Sequence, residues 1–244
     1  MALKQTIGRS RSQEDHWIPL SDLMTGLMMI FMLVAIIFMV QLKRDEAKII
    51  ASQNKVKDVA LLYTDLRAQL YRDLQSEFRD DVGKWHASIT PELAVRFQEP
   101  SVQFDTGMAI VKDSFKSILD SFIPRYINIL YSPKYHDVID EIRIEGHTSS
   151  IWTGDFEHAY YENMRLSQER TRAVLMYVFS IPQLRNTKLI QWLLDRMTAN
   201  GLSYSHRLFL ANGAEDVLGS QRVEFRVRTK AEDQLEKILK ALQQ

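Results

Sequence analysis

The chain lacks cysteine and has no excess of either charge. With 0 cysteines among 244 residues, neither a disulfide framework nor a thiolate metal site can form. The 31 basic and 31 acidic residues cancel, so we expect no direct nucleic-acid partner held by bulk charge. The sequence also has no HExxH, P-loop or nucleophile-elbow motif, and its histidines lack ligand spacing. We therefore expect neither an enzyme nor a bound metal or cofactor.

One apolar run is long enough to cross a bilayer. It extends from Trp17 to Leu42 and has no charged residue between Leu23 and Val40. About 20 helical residues cover the ~30 Å hydrocarbon core of a membrane. The run is too long for a usual signal-peptide core, and the polar sequence KRDEAK follows it instead of a small-residue cleavage site. We expect a retained, single transmembrane helix over residues 17–42, after a tail of residues 1–16.

One carboxylate, Asp22, lies near the start of this run. On a helix, Thr25 and Gly26 share its face, followed by Met29 and Leu33. A charge at membrane depth is costly and usually functional, and a glycine lets a partner helix approach closely. The alternative is an Asp that caps the helix or places a charge in its first turn at the membrane surface.

The sequence of this segment resembles that of the MotB-type stator subunits. The resemblance lies in Trp17, in Asp22-Leu23-Met24-Thr25 and in the Met-rich helix that follows. It implies that Asp22 and Thr25 form an ion-translocating site against a ring of MotA-like subunits. The basic residues flanking the helix are balanced and do not set its orientation. The resemblance implies a cytoplasmic N-terminus and a periplasmic C-terminal domain at the bacterial inner membrane.

Residues 43–87 predict a helical linker. Apolar residues recur at heptad spacing and then every four residues. They are Ile49, Val56, Tyr63 and Leu70, then Leu74, Phe78 and Val82. Two interpretations are open: a parallel two-chain coil, or an amphipathic helix packed on the chain's own domain. We favour the coil, because a membrane stalk has little else nearby, and so expect a dimerisation stalk in a homodimer.

Residues 88–230 predict an α+β domain, and residues 231–244 a C-terminal helix. Apolar alternation and short β-like runs predict strands. They are Ala94–Phe97, Val102–Phe104, Val138–Glu145, Arg207–Ala211 and Arg222–Arg228. Helical periodicity predicts helices at Met108–Leu130, Asn163–Phe179 and Leu189–Met197.

Three motifs of this domain resemble the OmpA-like peptidoglycan-binding family. They are Gly146-His147-Thr148, then Asn163 with Leu166-Ser167 and Arg170, then Arg222-Val223-Glu224-Phe225. The resemblance implies an α/β sandwich that binds the diaminopimelate of the wall peptide, with Arg170 on a carboxylate. A guanidinium suits that task because it binds carboxylates bidentately. The matching positions Thr148, Asn163 and Leu166 complete the implied site.

The chain departs from the family pattern at Ser149, where the family has an Asp that holds the ammonium group. Asp155, in a following loop that is longer than usual, is a candidate substitute. Ordinary structural roles are the alternatives for four residues. They are a turn for His147, a helix cap for Asn163, an intramolecular partner for Arg170 and a core position for Trp152.

A lone Asp-bearing helix, a stalk and a wall-binding domain together resemble a stator subunit. Among MotB-like proteins, the start SDLMTGLMM and the diverged wall motif resemble the Zorya anti-phage defence family. That resemblance implies a proton-driven motor with five MotA-like ZorA subunits per two copies of this chain, anchored to peptidoglycan. A flagellar-type MotB subunit and a passive envelope anchor are the alternatives.

Overall fold

The computed structural model describes residues 17–230. The tail 1–16 and the helix predicted over 231–244 lie outside the described residues. The chain divides into two compact units, Met1–Lys57 and Asp58–Gln244. Helix α1, Trp17–Phe78, contributes to both units.

The first unit contains the apolar part of α1. Leu20–Asn54 is long and apolar enough to cross a membrane, and it is the one such helix among the described residues. Its large apolar side chains, from Leu20 to Leu42, are exposed. Since isolated apolar surface of this extent is covered by lipid or by a partner helix, the single N-terminal apolar helix agrees with the sequence prediction.

The last turns of α1 belong to the core of the second unit. Leu70, Leu74 and Phe78 are fully buried, and Leu66 packs against the edge of the same core. A spacing of four residues places these side chains on one face of the helix. Residues 66–78 therefore follow the second interpretation of the linker, in which an amphipathic helix packs on its own domain.

A five-stranded sheet with the order β1-β2-β5-β3-β4 organises the second unit. The strands are β1 (Ala87–Ile89), β2 (Ala94–Phe97), β3 (Ile139–His147), β4 (Met197–Gly201) and β5 (Arg222–Thr229). Only β3 and β4 pair in parallel among the strands of this sheet. A parallel pair needs a long crossover, and here the crossover carries two helices.

The described residues of the second unit contain five further α-helices and a 3₁₀ turn at Pro182–Leu184. The helices are α2 (Pro100–Gln103), α3 (Asp113–Leu130), α4 (Phe156–Ser180), α5 (Thr187–Leu194) and α6 (Val217–Ser220). Helices α3 and α4 pack against one face of the sheet. The ring of Phe122 lies 5.2 Å from that of Phe97, 5.3 Å from Phe225 and 4.8 Å from Tyr126. This aromatic cluster joins α3 to strands β2 and β5 at the centre of the core.

The predicted α+β class is confirmed, and three element predictions were wrong. Val102–Phe104 is not a strand, because Pro100 opens the short helix α2, as proline does in first turns. Arg207–Ala211 forms only an isolated bridge from Phe209 to Glu215. Met197 does not end a helix: α5 stops at Leu194, and Met197 begins β4.

Candidate functional sites

Asp22 lies well inside α1. The helix begins at Trp17 and has no acidic residue in its first turn, so Asp22 is not a terminal charge. Its side chain is exposed. One turn along, the Thr25 hydroxyl donates to the carbonyl oxygen of Ser21 at 2.7 Å. That bond uses the hydroxyl proton, and the Thr25 oxygen is left able to accept a hydrogen bond beside Asp22.

The face of α1 around Asp22 is open to a neighbour. Apart from the backbone of its own helix and its two neighbours in the chain, no heavy atom of the described residues lies within 4 Å of where a Cβ on Gly26 would stand. Leu23 is 70% exposed, and Met29 and Leu33 on the Asp22 face are exposed as well. A carboxylate among exposed apolar side chains at membrane depth calls for a partner helix that covers both.

A second candidate site lies where β3 and β4 end. Gly146 and Gly201 pair in register, and both press against α4. A Cβ on Gly146 would lie 2.6 Å from Thr171 Cγ2, and a Cβ on Gly201 would lie 2.7 Å from Gln168 Cα. Glycine therefore allows the close approach of two strand ends to the helix that carries three of the six predicted wall-binding residues.

Four predicted residues share deep burial: Thr148, Ser149, Asn163 and Leu166. Asn163 Nδ2 donates to the carbonyl oxygen of Ala159 at 3.0 Å within α4, so Asn163 is not a helix cap. Ser149 Oγ accepts a hydrogen bond from Gln221 Nε2 at 2.8 Å. Asn163 and Ser149 are therefore hydrogen-bonded within the fold, whereas the buried Thr148 hydroxyl has no hydrogen-bond partner among the described residues.

Asp155 is the N-cap of α4. Its Oδ1 accepts a hydrogen bond from the backbone N–H of His158 at 2.8 Å. This is the usual work of an aspartate at a helix start. The structure thus gives Asp155 a structural role and does not bring it into the cavity beside Arg170.

Arg170 donates hydrogen bonds to the loop over residues 105–108. Its Nε donates to the carbonyl oxygen of Met108 at 2.8 Å, and Nη2 donates to that of Asp105 at 3.3 Å. Its guanidinium carbon lies 4.8 Å from the ring centroid of Phe104. Burial lowers the pKa of Arg170 to about 10, so the side chain is charged at neutral pH. Both hydrogen-bond acceptors of Arg170 are backbone carbonyl oxygens, which carry no formal charge and therefore do not neutralise the guanidinium.

A small cavity adjoins Arg170. It encloses about 10 Å³, roughly the room that one water needs. Arg170 and His147 line it, together with Phe104, Ser167 and Gln221. Of the predicted wall-binding residues, only Arg170 lines this cavity. A cavity of this volume is too small for a diaminopimelate group.

Ser203 is a structural residue of this site that the sequence did not reveal. It is fully buried at a φ of 52°, where residues other than glycine are uncommon. Its carbonyl oxygen accepts from the backbone N–H of Thr148 at 2.9 Å, and its own N–H donates to Ser167 Oγ at 3.1 Å. A lone serine after a strand carries no motif, so no sequence signal pointed to it.

A charged network occupies the face of the sheet away from the helices. The possible metal-ligand atoms of Glu145, His147 and Glu224 lie within 4.8 Å of one another, a spacing compatible with a metal ion. However, Arg222 Nε donates to Glu224 Oε1 at 2.6 Å, and Arg226 Nε donates to Glu145 Oε2 at 3.0 Å. A cation there would face these guanidiniums, so the arrangement does not fit a metal.

Comparison with known proteins identifies a relative over almost the whole chain. No family model matches the sequence. The Zorya protein ZorB of Escherichia coli, Crooks strain, is 41% identical over 97% of this chain and 99% of its own. The chain belongs to the ZorB family. This membership agrees with two expectations from the sequence, the resemblance to Zorya proteins and the absence of enzymatic function.

Three solved structures are similar at lower identity. A MotB-like protein from Desulfovibrio vulgaris shares 18% identity at a TM-score of 0.49, covering 70% of this chain and 98% of that one. The cell wall anchor of the Pseudomonas aeruginosa T6SS shares 20% at 0.44, covering 64% and 96%. The periplasmic domain of Helicobacter pylori MotB shares 16% at 0.39, covering 61% and 83%.

Proposed function

We propose that the chain is the ion-conducting, wall-anchored subunit of a proton-driven membrane motor in anti-phage defence. Its partner is a ring of MotA-like ZorA subunits. The observation that carries this proposal is Asp22, a carboxylate inside an otherwise apolar helix with no intramolecular cover among residues 17–57. Membership of the ZorB family supports it. A passive envelope anchor would need no carboxylate at that depth.

The mechanism uses the charge of Asp22. Contact with partner helices desolvates a carboxylate and favours its neutral form, so a proton is taken up on one side and released on the other. Each elementary charge that crosses 100 mV releases ~2.3 kcal/mol. Thr25 supplies an acceptor next to the carboxyl group, and Gly26 allows the partner helix to approach. Removing and restoring the charge shifts the ring between two packings.

Phage protection tests this proposal in cells. Asp22→Asn keeps the shape of the side chain but cannot cycle a proton, so protection should be lost while the complex with ZorA still copurifies. Asp45→Asn is the matched control, because Asp45 is an exposed residue of α1 whose ion pair with Lys48, at 3.7 Å, is a surface contact. Full protection by Asp22→Asn would overturn ion carriage by this residue.

We further propose that the N-terminus is cytoplasmic and that the second unit binds peptidoglycan in the periplasm through Arg170. An arginine–carboxylate bond contributes about 1.5–3 kcal/mol, so Arg170→Ala should weaken sacculus binding roughly 10- to 100-fold. Arg172→Ala, an exposed neighbour on α4, should leave binding unchanged. Equal binding by wild type and Arg170→Ala would mean that the wall contact lies elsewhere.

Asp155 needs a variant that separates capping from ligand binding. Asn caps helices as well as Asp does, so Asp155→Asn preserves the start of α4 but removes the charge. If Asp155 takes the ammonium-binding role that Ser149 cannot fill, Asp155→Asn weakens sacculus binding with no change in melting temperature. Unchanged sacculus binding would limit Asp155 to its capping role.

We propose a homodimer, two copies for every five ZorA subunits, joined through α1 before residue 66. The face from Leu66 to Phe78 packs on its own core, whereas Ile49, Ile50 and Leu61 are exposed. Cysteine at position 49 should therefore crosslink two copies in membranes that contain ZorA, and cysteine at position 66 should not. Crosslinking at 66 alone would contradict this placement.

A further inference from the structure

The face of the sheet away from the helices is lined with arginine. Val223, Phe225 and Val227 of β5 point into the core, so the residues that alternate with them along the strand point to the opposite face. Those residues are Arg222, Glu224, Arg226 and Arg228. Register places Arg143 of β3 opposite Arg226, and Arg96 of β2 opposite Glu224.

Two carboxylates of this face lie deeper than the guanidiniums beside them. The side chain of Glu224 is 0% exposed and that of Glu145 is 7% exposed, whereas Arg143 is 32% and Arg226 is 29% exposed. Both carboxylates accept hydrogen bonds from Arg226 and so fix its position. Glu141 is 21% exposed, so the exposed charges of this face are mainly, but not entirely, positive.

Six arginines and four glutamates make up the network, which leaves a formal charge of +2. The arginines are Arg96, Arg143, Arg207, Arg222, Arg226 and Arg228, and the glutamates are Glu141, Glu145, Glu215 and Glu224. Arg143 and Arg226 lie opposite each other on neighbouring strands, and Glu145 offsets part of their repulsion at 4.0 and 3.0 Å from their nitrogens. The two positive charges that the four glutamates leave unbalanced favour an added anion.

His147 adds an unused hydrogen-bonding group. Its side chain is buried, and neither ring nitrogen has a hydrogen-bond partner among the described residues. Nε2 lies 3.8 Å from Glu145 Oε2 and 3.9 Å from Glu224 Oε1, both too long for hydrogen bonds. Burial lowers the pKa of His147, so the ring is neutral and offers one N–H donor.

We propose that this arginine-lined groove is a binding site for a phosphate group, either free or at the end of a lipid headgroup. The groove has a volume of about 490 Å³. Its charged lining comprises five arginines and one carboxylate: Arg96, Arg143, Arg207, Arg222, Arg226 and Glu145. His147 and His206 line it as well. Guanidiniums reach it from three adjacent strands, spaced about 5 Å apart. A tetrahedral phosphate accepts hydrogen bonds from several directions at once, whereas a carboxylate offers two oxygens in one plane.

Calorimetric titration of the purified full chain with inorganic phosphate, at constant ionic strength, tests the proposal. We expect saturable binding that weakens at least about tenfold in Arg143→Gln and in Arg207→Gln, because each loses a charge-assisted bond. Arg165→Gln is the matched control, since Arg165 is also paired with glutamates but lies on α4 outside the groove. Absence of saturable binding to phosphate and to a soluble phosphatidic acid, or equal weakening by Arg165→Gln, would overturn the proposal.

Two further measurements keep the result interpretable. Arg143 and Arg207 are chosen because Arg222 and Arg226 neutralise buried glutamates, and a circular dichroism melt checks each variant. If Arg143→Gln fails to fold, Arg207→Gln alone decides, because Arg207 forms its ion pair within the described residues with the rim carboxylate of Glu215, at 3.6 Å. Tenfold tighter binding of short-chain phosphatidic acid than of phosphate assigns the site to a lipid headgroup. Equal or weaker binding of the lipid assigns it to free phosphate.

Discussion

A fragment that begins at residue 88 should not fold, whereas one that begins at residue 58 should. The shorter fragment lacks Leu70, Leu74 and Phe78, whose side chains are fully buried in the core. Truncating one such side chain costs about 2–5 kcal/mol, so losing three removes about 6–15 kcal/mol. The whole stability of a typical domain is about 5–15 kcal/mol. The deletion therefore removes as much free energy as folding provides.

Polar contacts from the same stretch add to the expected loss. Arg125 of α3 donates to Glu77 Oε1 and to Asp81 Oδ2, both at 2.7 Å. The hydroxyl of Tyr135 donates to Asp73 Oδ2 at 2.6 Å. Without residues 58–87, these donors on the remaining domain would lose their partners, which is unfavourable wherever they are shielded from water.

Circular dichroism melts and urea titrations of fragments 58–244 and 88–244 provide the assay. Within the longer fragment, Leu74→Ala should lower the free energy of unfolding by about 2–5 kcal/mol. Leu61→Ala is the matched control, because Leu61 is exposed on the same helix and its loss should change stability by less than about 0.5 kcal/mol. A cooperative melt of fragment 88–244 at the temperature of the longer fragment would show that residues 58–87 are not needed for the core.

Two other predictions concern the second unit. Gly201→Ala should destabilise it by about 1–3 kcal/mol, because the new methyl group would press on the backbone of α4 at Gln168. Gly83→Ala is the control, because a Cβ at Gly83 would meet open space. Equal melting temperatures of the two variants would contradict the close packing at Gly201. The free energy of unfolding should fall as the pH drops below the ordinary His147 pKa of 6.5, since burial lowers that pKa and only the unfolded chain then takes up the proton. The free energy of unfolding should change by at most about 1.4 kcal/mol per pH unit through this one group. Urea titrations at pH 7.5 and 5.5 should show a smaller change in His147→Gln than in wild type. An identical change in both proteins would exclude His147 as the cause.

The sequence predicted those features that repeat along the chain. An uncharged run predicted the apolar part of α1, and alternation at Ile142 and Ile144 and through VEFRV predicted β3 and β5. Strand β4 was not predicted, because its sequence MTANG has little apolar alternation and its position depends on the packing of Gly201 against α4. A pattern along one segment does not show which distant segment it meets.

Tertiary contacts decided the features that the sequence could not predict. The apolar face at Leu70 and Leu74 fits a partner chain or its own core equally well, and only the fold shows the core. Likewise, a motif match identified Arg170 but not the carbonyls of Asp105 and Met108 that hold it.

Proton flux directly measures the proposed role of Asp22 as a proton carrier. Proteoliposomes that contain the chain and the proposed ZorA ring, with a trapped pH-sensitive dye, are given a membrane potential of about 100 mV, which supplies ~2.3 kcal/mol per charge. We expect flux in wild type and in Asp45→Asn, and none above empty liposomes in Asp22→Asn, at equal amounts of intact complex. Flux at the wild-type rate in Asp22→Asn would contradict proton carriage by Asp22.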